Sequence, residues 1–433
     1  MTTTLHRQVD IAVNQHGRIR RRDFLKTISM GAAGAGLLSW PDVMSVRAND
    51  LRKRGMSCIL LWMQGGPSQL ETWDPKPNHA NGGETKAIST SVSGIQIAEN
   101  LPNVAKTMDD ICLIRSMTST EGSHPRGTYL MHTSYIPTAS VKYPTLGSNV
   151  AQQLGDPNSD LPGFVRVGAR FRGGSGAGFL GVDYDPFNVA SAGRPPENST
   201  LPTPEKRYTR RLGLLDKLES HYGENGGERE VEDHRKLYEK TSRMVKSPKM
   251  QAFDLSEESQ SVRSGYGQSQ FANGCLLARR LVETGVTFVE VTAGNWDTHQ
   301  DNFERSKQLC EQIDNPFAHL VSDLRERGLL DKTLVVCMGE FGRTPRINAR
   351  GGRDHYPRAF SVAMAGGNVK GGQVIGRTDP SGSNVEDRQV GVKDLFRTIY
   401  HGLGIDPEHE NMSGIGRPIK LVDEGEVIKE VFA

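Results

Sequence analysis

Three short stretches late in the 433-residue chain concentrate carboxylates and imidazoles. Trp-Asp-Thr-His carries Asp297 and His299, Gly-Glu-Phe-Gly-Arg-Thr-Pro carries Glu340 and Arg343, and Gly-Gly-Arg-Asp-His-Tyr-Pro carries Asp354 and His355. Such side chains are the ordinary ligands of a divalent metal ion. In Asp297-Thr298-His299 alternate residues of an extended segment point the same way, so both can aim at one ion. The plainer alternative is an Asp capping the next helix beside a surface histidine. Glu340 follows an apolar strand between glycines, a position suited to metal ligation or general-base work. Arg343 beside it serves either to neutralise an anionic substrate or to pair with Glu340. Asp354-His355 lies in a loop shaped by Gly351, Gly352 and Pro357. All three groups fall where strands should end, which is where open α/β sheets place their ligands, so together they point to a metal-centred hydrolytic site.

The elements that must position these residues are legible as apolar runs. Cys58–Met63 breaks at Gly65-Gly66-Pro67, Ile111–Ile114 enters a polar loop at Ser116, and Thr287–Thr292, Thr333–Met338 and Phe360–Ala365 complete the set. Each is expected to be a buried strand. Helical patterns lie between them at Pro204–Tyr222, Glu228–Lys246, Gly267–Thr284, Phe303–Arg327 and Val392–Leu403. Strands alternating with helices imply an α/β fold, a mostly parallel sheet sandwiched by helices. One domain over 54–433 is expected, with a helical insertion around 200–270. The stretch 168–203, rich in Gly, Pro, Asn and Ser, is expected to be a surface excursion. Within it, Gly173-Gly174-Ser175-Gly176-Ala177-Gly178 follows no convincing strand and opens no helix, so it lacks the context of a dinucleotide fingerprint.

Composition narrows the class. The chain is 36% hydrophobic and 24% charged, with a formal net charge of +2. Up to Ala48 there are seven Lys+Arg against three Asp+Glu, leaving 46 against 48 for the remainder. No basic bias suggests nucleic acid. Of the five cysteines, Cys58, Cys112 and Cys337 sit in strand-like runs and Cys275 in a helical one, so buried free thiols are expected for these, with Cys310 the fifth. The chain opens on an address label rather than structure. Arg21-Arg22-Asp23-Phe24-Leu25-Lys26 resembles a twin-arginine export signal, a weakly apolar stretch follows from Ile28 to Leu38, and Val46-Arg47-Ala48 offers a small-x-small cleavage site. The apolar run is too short to span a bilayer stably. A signal peptide over 1–48, a periplasmic or extracellular location, and the twin-arginine translocase as a partner during export are therefore expected.

The order of motifs, Asp-x-His, then Gly-Glu-Phe-Gly-Arg-Thr-Pro, then Gly-Arg-Asp-His, resembles the exported family called domain of unknown function 1501. The early Leu61–Pro77 stretch, Leu-Trp-Met-Gln-Gly-Gly-Pro-Ser-Gln-Leu-Glu-Thr-Trp-Asp-Pro-Lys-Pro, fits it too. That family is similar to the alkaline phosphatase and sulfatase superfamily, whose members hydrolyse phosphate or sulfate esters on a metal-bearing α/β sheet. The resemblance implies that Asp297 and His299 match late metal ligands, that Glu340 stands where an Asp-His pair ends a strand, and that His355 is the final histidine. It implies a nucleophile loop at Ser123-His124-Pro125-Arg126-Gly127-Thr128, with Ser123 at the sulfatase cysteine position and Arg126 one place early. A hydroxyl at a helix N-terminus beside an arginine suits that role. His124 is then a ligand or a proton donor, and His132 lies two turns further on. The sequence departs from the superfamily in three places. Gln64-Gly65-Gly66 replaces an acidic ligand, Phe341 replaces a metal-binding histidine, and the missing cysteine excludes formylglycine chemistry. Asp74 is better read as a turn residue before Pro75 than as a replacement ligand.

The expected function is an exported metal-dependent hydrolase of sulfate or phosphate esters, acting on an anionic small molecule or polysaccharide. One divalent ion, zinc, manganese, iron or calcium, would be held by Asp297, His299, Glu340, Asp354 and His355. Ser123, His124, Arg126 and Arg343 would carry the chemistry. The alternative is the same fold without turnover, serving as a periplasmic binding or assembly protein.

Overall fold

A computed structural model describes residues 54–168, 176–194, 196, 199–201 and 203–433. The export segment expected over 1–48 and Gly173, Gly174 and Ser175 of the glycine-rich run lie outside the described residues. Ser57–Met63 (β1) is buried at every position, so it must be covered on both faces. Around it lie Ile111–Thr118 (β2), Phe164–Val167 (β3), Phe187–Val189 (β4), Phe288–Ala293 (β5), Thr333–Met338 (β6), Phe360–Ala365 (β7), Gln373–Ile375 (β8) and Val390–Gly391 (β9). They form one nine-stranded sheet in the order β8-β2-β7-β6-β1-β5-β3-β4, with β9 alongside β2. β1 pairs in parallel with β5 and β6, and β3 in parallel with β5 and β4. Only β7 reverses, antiparallel to both β2 and β6. The fold is the mixed α/β sandwich, mostly parallel, that the alternating runs imply.

Alternation along β1 divides the core. Ile59, Leu61 and Met63 join Cys275, Leu277 and Phe317 on one side. These come from helices Gln270–Glu283 and Asn302–Glu326. Cys58, Leu60 and Trp62 join Leu130, Val150 and Ile399 on the other, from His124–Thr133 (α1), Leu146–Leu154 (α2) and Val392–Gly402. All five thiols are free and buried, and burial pushes those of Cys112 and Cys337 up to about 12.

Three expectations need correction. The second strand does not stop at Ser116 but runs to Thr118. The glycine-rich excursion is not wholly irregular, because Phe187–Val189 pairs with Phe164–Val167 at the sheet edge. Helix α2 occupies a stretch where no helix is expected, whereas α1 begins directly after Ser123, at the helix N-terminus that the nucleophile loop implies. The helical stretch around 200–270 contains Glu205–Tyr222 and Glu228–Lys246, which pack against each other.

Candidate metal centre

Parallel pairing brings the C-terminal ends of β1, β5 and β6 to one edge of the sheet, and each leads into a segment of the site. β1 exits into Gln64-Gly65-Gly66. The loop after β5 is stitched to it, with Gln64 N–H donating to Ala293 O at 2.8 Å and Trp296 N–H donating to Gln64 O at 3.1 Å. β6 exits into Gly339-Glu340. β2 ends on the same edge and, through the loop 119–123, delivers the N-terminus of α1 and His124. The fifth contribution is the short antiparallel pair Gly342–Arg343 with His355–Tyr356.

The three histidines are oriented in the same manner. His124 Nδ1 lies 2.6 Å from Glu340 Oε1, His299 Nδ1 3.0 Å from Asp354 Oδ1, and His355 Nδ1 2.7 Å from the carbonyl of Gly122. A carbonyl only accepts, so His355 must donate through Nδ1–H. The carboxylates assign the same tautomer to the other two rings. Each Nε2 then carries a lone pair, and all converge on Asp297: Nε2 of His299, His124 and His355 lie 3.1, 3.3 and 3.4 Å from its Oδ1. His299 Nε2 and His355 Nε2 face each other at 3.1 Å. Two acceptor lone pairs at that separation repel unless a cation or proton sits between them. Atoms of His124, Asp297 and His355 able to ligate a metal all lie within 4.8 Å of one another.

Electrostatics agree with the geometry. Burial acts to raise Asp297, but the hydrogen bond and charge of Arg343 outweigh it and hold the carboxyl at about 2. Burial lowers His355, and the nearby charges of His124 and Arg343 add to the effect. For His124, burial is outweighed by the Glu340 hydrogen bond and charge, and the imidazole sits above its ordinary value. The His299 hydrogen bond holds Asp354 below the usual carboxylate range.

Backbone packing fixes the cluster. Glu340 is fully buried and accepts Gly65 N–H at 3.0 and 3.2 Å on its two oxygens. Arg343, also fully buried, donates to Asp297 Oδ1 at 2.6 Å and to carbonyls of Gly66, Arg353 and Trp296 at 2.8, 3.2 and 3.3 Å, and also to Gly65 O. This approach requires glycine. At Gly65, with φ of 117°, an added Cβ would lie 2.5 Å from Asp297 N. Asn348 donates to His299 O at 3.0 Å and accepts Gly352 N–H at 3.0 Å, locking the Asp354-His355 loop. The adjoining Arg353 makes a fully buried pair with Glu71 at 2.7 Å.

The sequence-derived residues therefore divide. Asp297, His299 and His355 come together at one place. Glu340 and Asp354 stand behind that meeting point: Glu340 accepts Gly65 N–H and faces His124 Nδ1, and Asp354 Oδ1 faces His299 Nδ1. His124, placed with the chemistry, points its Nε2 into the cluster. Arg343 anchors Asp297 rather than pairing with Glu340. Arg126 is exposed and tied to Glu121 at 2.8 and 2.6 Å. Ser123 is exposed at the N-cap of α1, its side chain making no cap hydrogen bond. Phe341 packs its ring against those of His124 and His355, with centroids 5.0 and 4.6 Å away. Asp74 bonds Lys76 and Thr378, as a structural residue. Sequence reasoning missed the Gly122 carbonyl, Asn348 and the Glu71–Arg353 pair. Only the glycines around them signalled a crowded backbone.

A family model described as Protein of unknown function (DUF1501) matches residues 56–432. The chain belongs to this family. No curated protein sequence matches it. Similar solved structures include the PsFucS1 sulfatase from Pseudoalteromonas sp., 14% identical over 85% of this chain and 72% of that one, with a TM-score of 0.40. A protein in the alkaline phosphatase superfamily from Vibrio parahaemolyticus is 10% identical over 84% and 76%, at a TM-score of 0.37. The phosphonate monoester hydrolase of Agrobacterium radiobacter is 11% identical over 87% and 77%, at 0.32. Among the described residues of this DUF1501 chain, no helix is long and apolar enough to cross a membrane.

Proposed function

We propose that the chain is an exported metal-dependent hydrolase of sulfate or phosphate esters, with one divalent ion held by Asp297, His124, His299 and His355. The observation that carries this reading is the meeting of Nε2 atoms, with His299 and His355 only 3.1 Å apart while both Nδ1 atoms are committed to acceptors. Three imidazoles and one carboxylate suit zinc, manganese or iron; calcium prefers an all-oxygen shell and fits poorly. A bound ion of this kind supplies Lewis-acid polarisation of an ester oxygen.

The residues around it hold the geometry. Arg343 keeps Asp297 anionic and offsets part of its charge. Glu340, Asp354 and the Gly122 carbonyl fix the imidazole tautomers, the outer-shell role that sets ring orientation and basicity. Ser123 is the nucleophile of this reading, exposed at the N-terminus of α1, where the helix dipole favours developing negative charge.

A second reading, binding without turnover, draws on the engagement of both predicted cations. Arg126 is held by Glu121 and Arg343 by Asp297 and carbonyls. Elemental analysis of the purified protein beside His299→Ala, followed by a panel of sulfate and phosphate esters, separates the readings. About one equivalent of metal lost in the variant, with turnover lost in Ser123→Ala, supports the hydrolase. Metal and anion binding without turnover supports the binding protein, and no metal in wild type after reconstitution with zinc, manganese and iron overturns the centre itself.

A further inference from the structure

A cleft of about 960 Å³ is lined by segments that adjoin the imidazole cluster in the chain. Its walls continue the two loops that hold the cluster. Ser119 and Thr120 line it, and their loop carries Gly122, whose carbonyl orients His355. Arg358 lines it from the other loop, shortly beyond His355. The loops are joined where Ser119 N–H donates to Pro357 O at 2.8 Å. The Tyr356 hydroxyl donates at 2.6 Å to the carbonyl of Ser383, itself a wall residue. The chain from His355 to Arg358 can span at most ~10 Å, which keeps the Arg358 wall within about two sugar-ring lengths of His355.

The lining has the chemistry of a carbohydrate site. Tyr135 and Tyr143 line the cleft half-buried and stack on each other with centroids 4.2 Å apart and planes 3° from parallel. Stacking covers their inner faces and the Tyr135 hydroxyl donates to Lys420 O at 2.8 Å, so the pair offers a ligand one outer ring face, a platform suited to the C–H face of a pyranose. Around it stand Thr120, Asn384, Gln389 and Glu424, which offer both donors and acceptors for sugar hydroxyls. The charges are distributed unevenly. Lys393 is neutralised by Asp423 at 3.0 Å and Glu424 at 2.9 Å, both of which also line the cleft. Arg358, on the wall next to the imidazoles, is exposed and makes no ion pair among the described residues. It is therefore available to an anion in a way that Arg126 and Arg343 are not.

We propose that this cleft binds the carbohydrate part of an anionic ester, with the sugar on the Tyr135–Tyr143 platform and the anionic group near Arg358, within reach of the cluster. The inference rests on the hydrolytic reading of the imidazole centre and adds its substrate class. It has a consequence that a centre recognising only the anion lacks: neutral oligosaccharides also bind, and they do so without metal.

The test is an array of neutral and singly sulfated oligosaccharides, followed by titration of the best-bound pair into the full chain, metal-loaded and chelator-treated. Tyr143→Ala should weaken both members about tenfold or more, as loss of a packed aromatic anchor does. Arg358→Ala should weaken the sulfated member selectively, by about tenfold for one lost charged contact. His299→Ala should leave neutral binding unchanged. Thermal unfolding of Tyr143→Ala and rescue by Tyr143→Phe separate lost stacking from misfolding. If no oligosaccharide binds, or binding ignores Tyr143→Ala while depending on His299, the cleft proposal is overturned, even where metal content and hydrolysis persist. If sugars bind through Tyr143 but the protein takes up no metal and cleaves no ester, the hydrolytic reading falls and the carbohydrate site stands.

Discussion

The Nδ1 atom of His124 lies 2.6 Å from the buried carboxylate of Glu340, across 216 residues of sequence. The same carboxylate accepts Gly65 N–H on both oxygens. Glu340 therefore links the loops after β1 and β6 to the start of α1, and its hydrogen bonds leave His124 Nε2 as the atom directed at Asp297.

Glu340→Gln should accordingly weaken metal binding without unfolding the chain. An amide of the same shape removes the charge that holds the His124 tautomer, and outer-shell losses of this kind cost roughly 10–100-fold in metal affinity. Competition with a coloured chelator measures this directly. An affinity equal to wild type would show that His124 is not held for coordination.

Gly65→Ala should damage both fold and site. The position has φ of 117°, and a Cβ there would meet Asp297 N at 2.5 Å. Gly285, with φ of 97° and nothing within 4 Å of its would-be Cβ, is the matched control for strain alone. Backbone strain costs on the order of 1–3 kcal/mol, so urea unfolding should show that loss for Gly285→Ala. It should show a larger loss, with impaired metal uptake, for Gly65→Ala.

Metal removal should lower the melting temperature of wild type and leave His299→Ala unaffected. An ion present at a hundred times its dissociation constant stabilises the native state by about 2.7 kcal/mol. Calorimetry with and without chelator reads the difference. Equal responses in the two proteins would place the stabilising ion elsewhere.

Much of this arrangement is legible in sequence because buried parallel strands are continuous apolar runs. β1, β5, β6 and β7 can be located to within a residue of their ends. The strands that escape notice are short or interrupted by polar residues: Phe164–Val167 contains Arg166, and Phe187–Val189 contains Asn188. Helix α1 is marked only at its start, where Pro125 suits the first turn, because Gly127 and Thr128 are poor helix formers and give its body no propensity signal. The site itself divides along the same line. Asp297, His299 and His355 announce themselves by local spacing, whereas the roles of Glu340 and His124 are set by a contact between distant loops. Nothing near Glu340 in sequence says that Gly65 N–H will occupy its oxygens.

Deeper in the sheet, Glu290 offers a test of acid stability away from the metal centre. It is fully buried on β5, bonded by Arg166 Nε at 3.0 Å and 3.6 Å from His132 Nε2. Burial alone would raise its carboxyl, but the charges and hydrogen bonds of Arg166 and His132 prevail and hold it at about 2. A carboxyl depressed on folding binds protons more readily in the unfolded chain, so its stabilisation is complete above the unfolded value near 4.5. That contribution is lost as the pH falls from there towards 2, and a depression of this size corresponds to about 3 kcal/mol. Glu290→Gln should be less stable than wild type at pH 7, because it leaves Arg166 without its countercharge. The gap in unfolding free energy between the two should close as the pH is lowered through that window. Urea titrations at successive pH values follow this gap, and a gap that stays constant down to pH 2 would show that Glu290 is not held ionised by its partners.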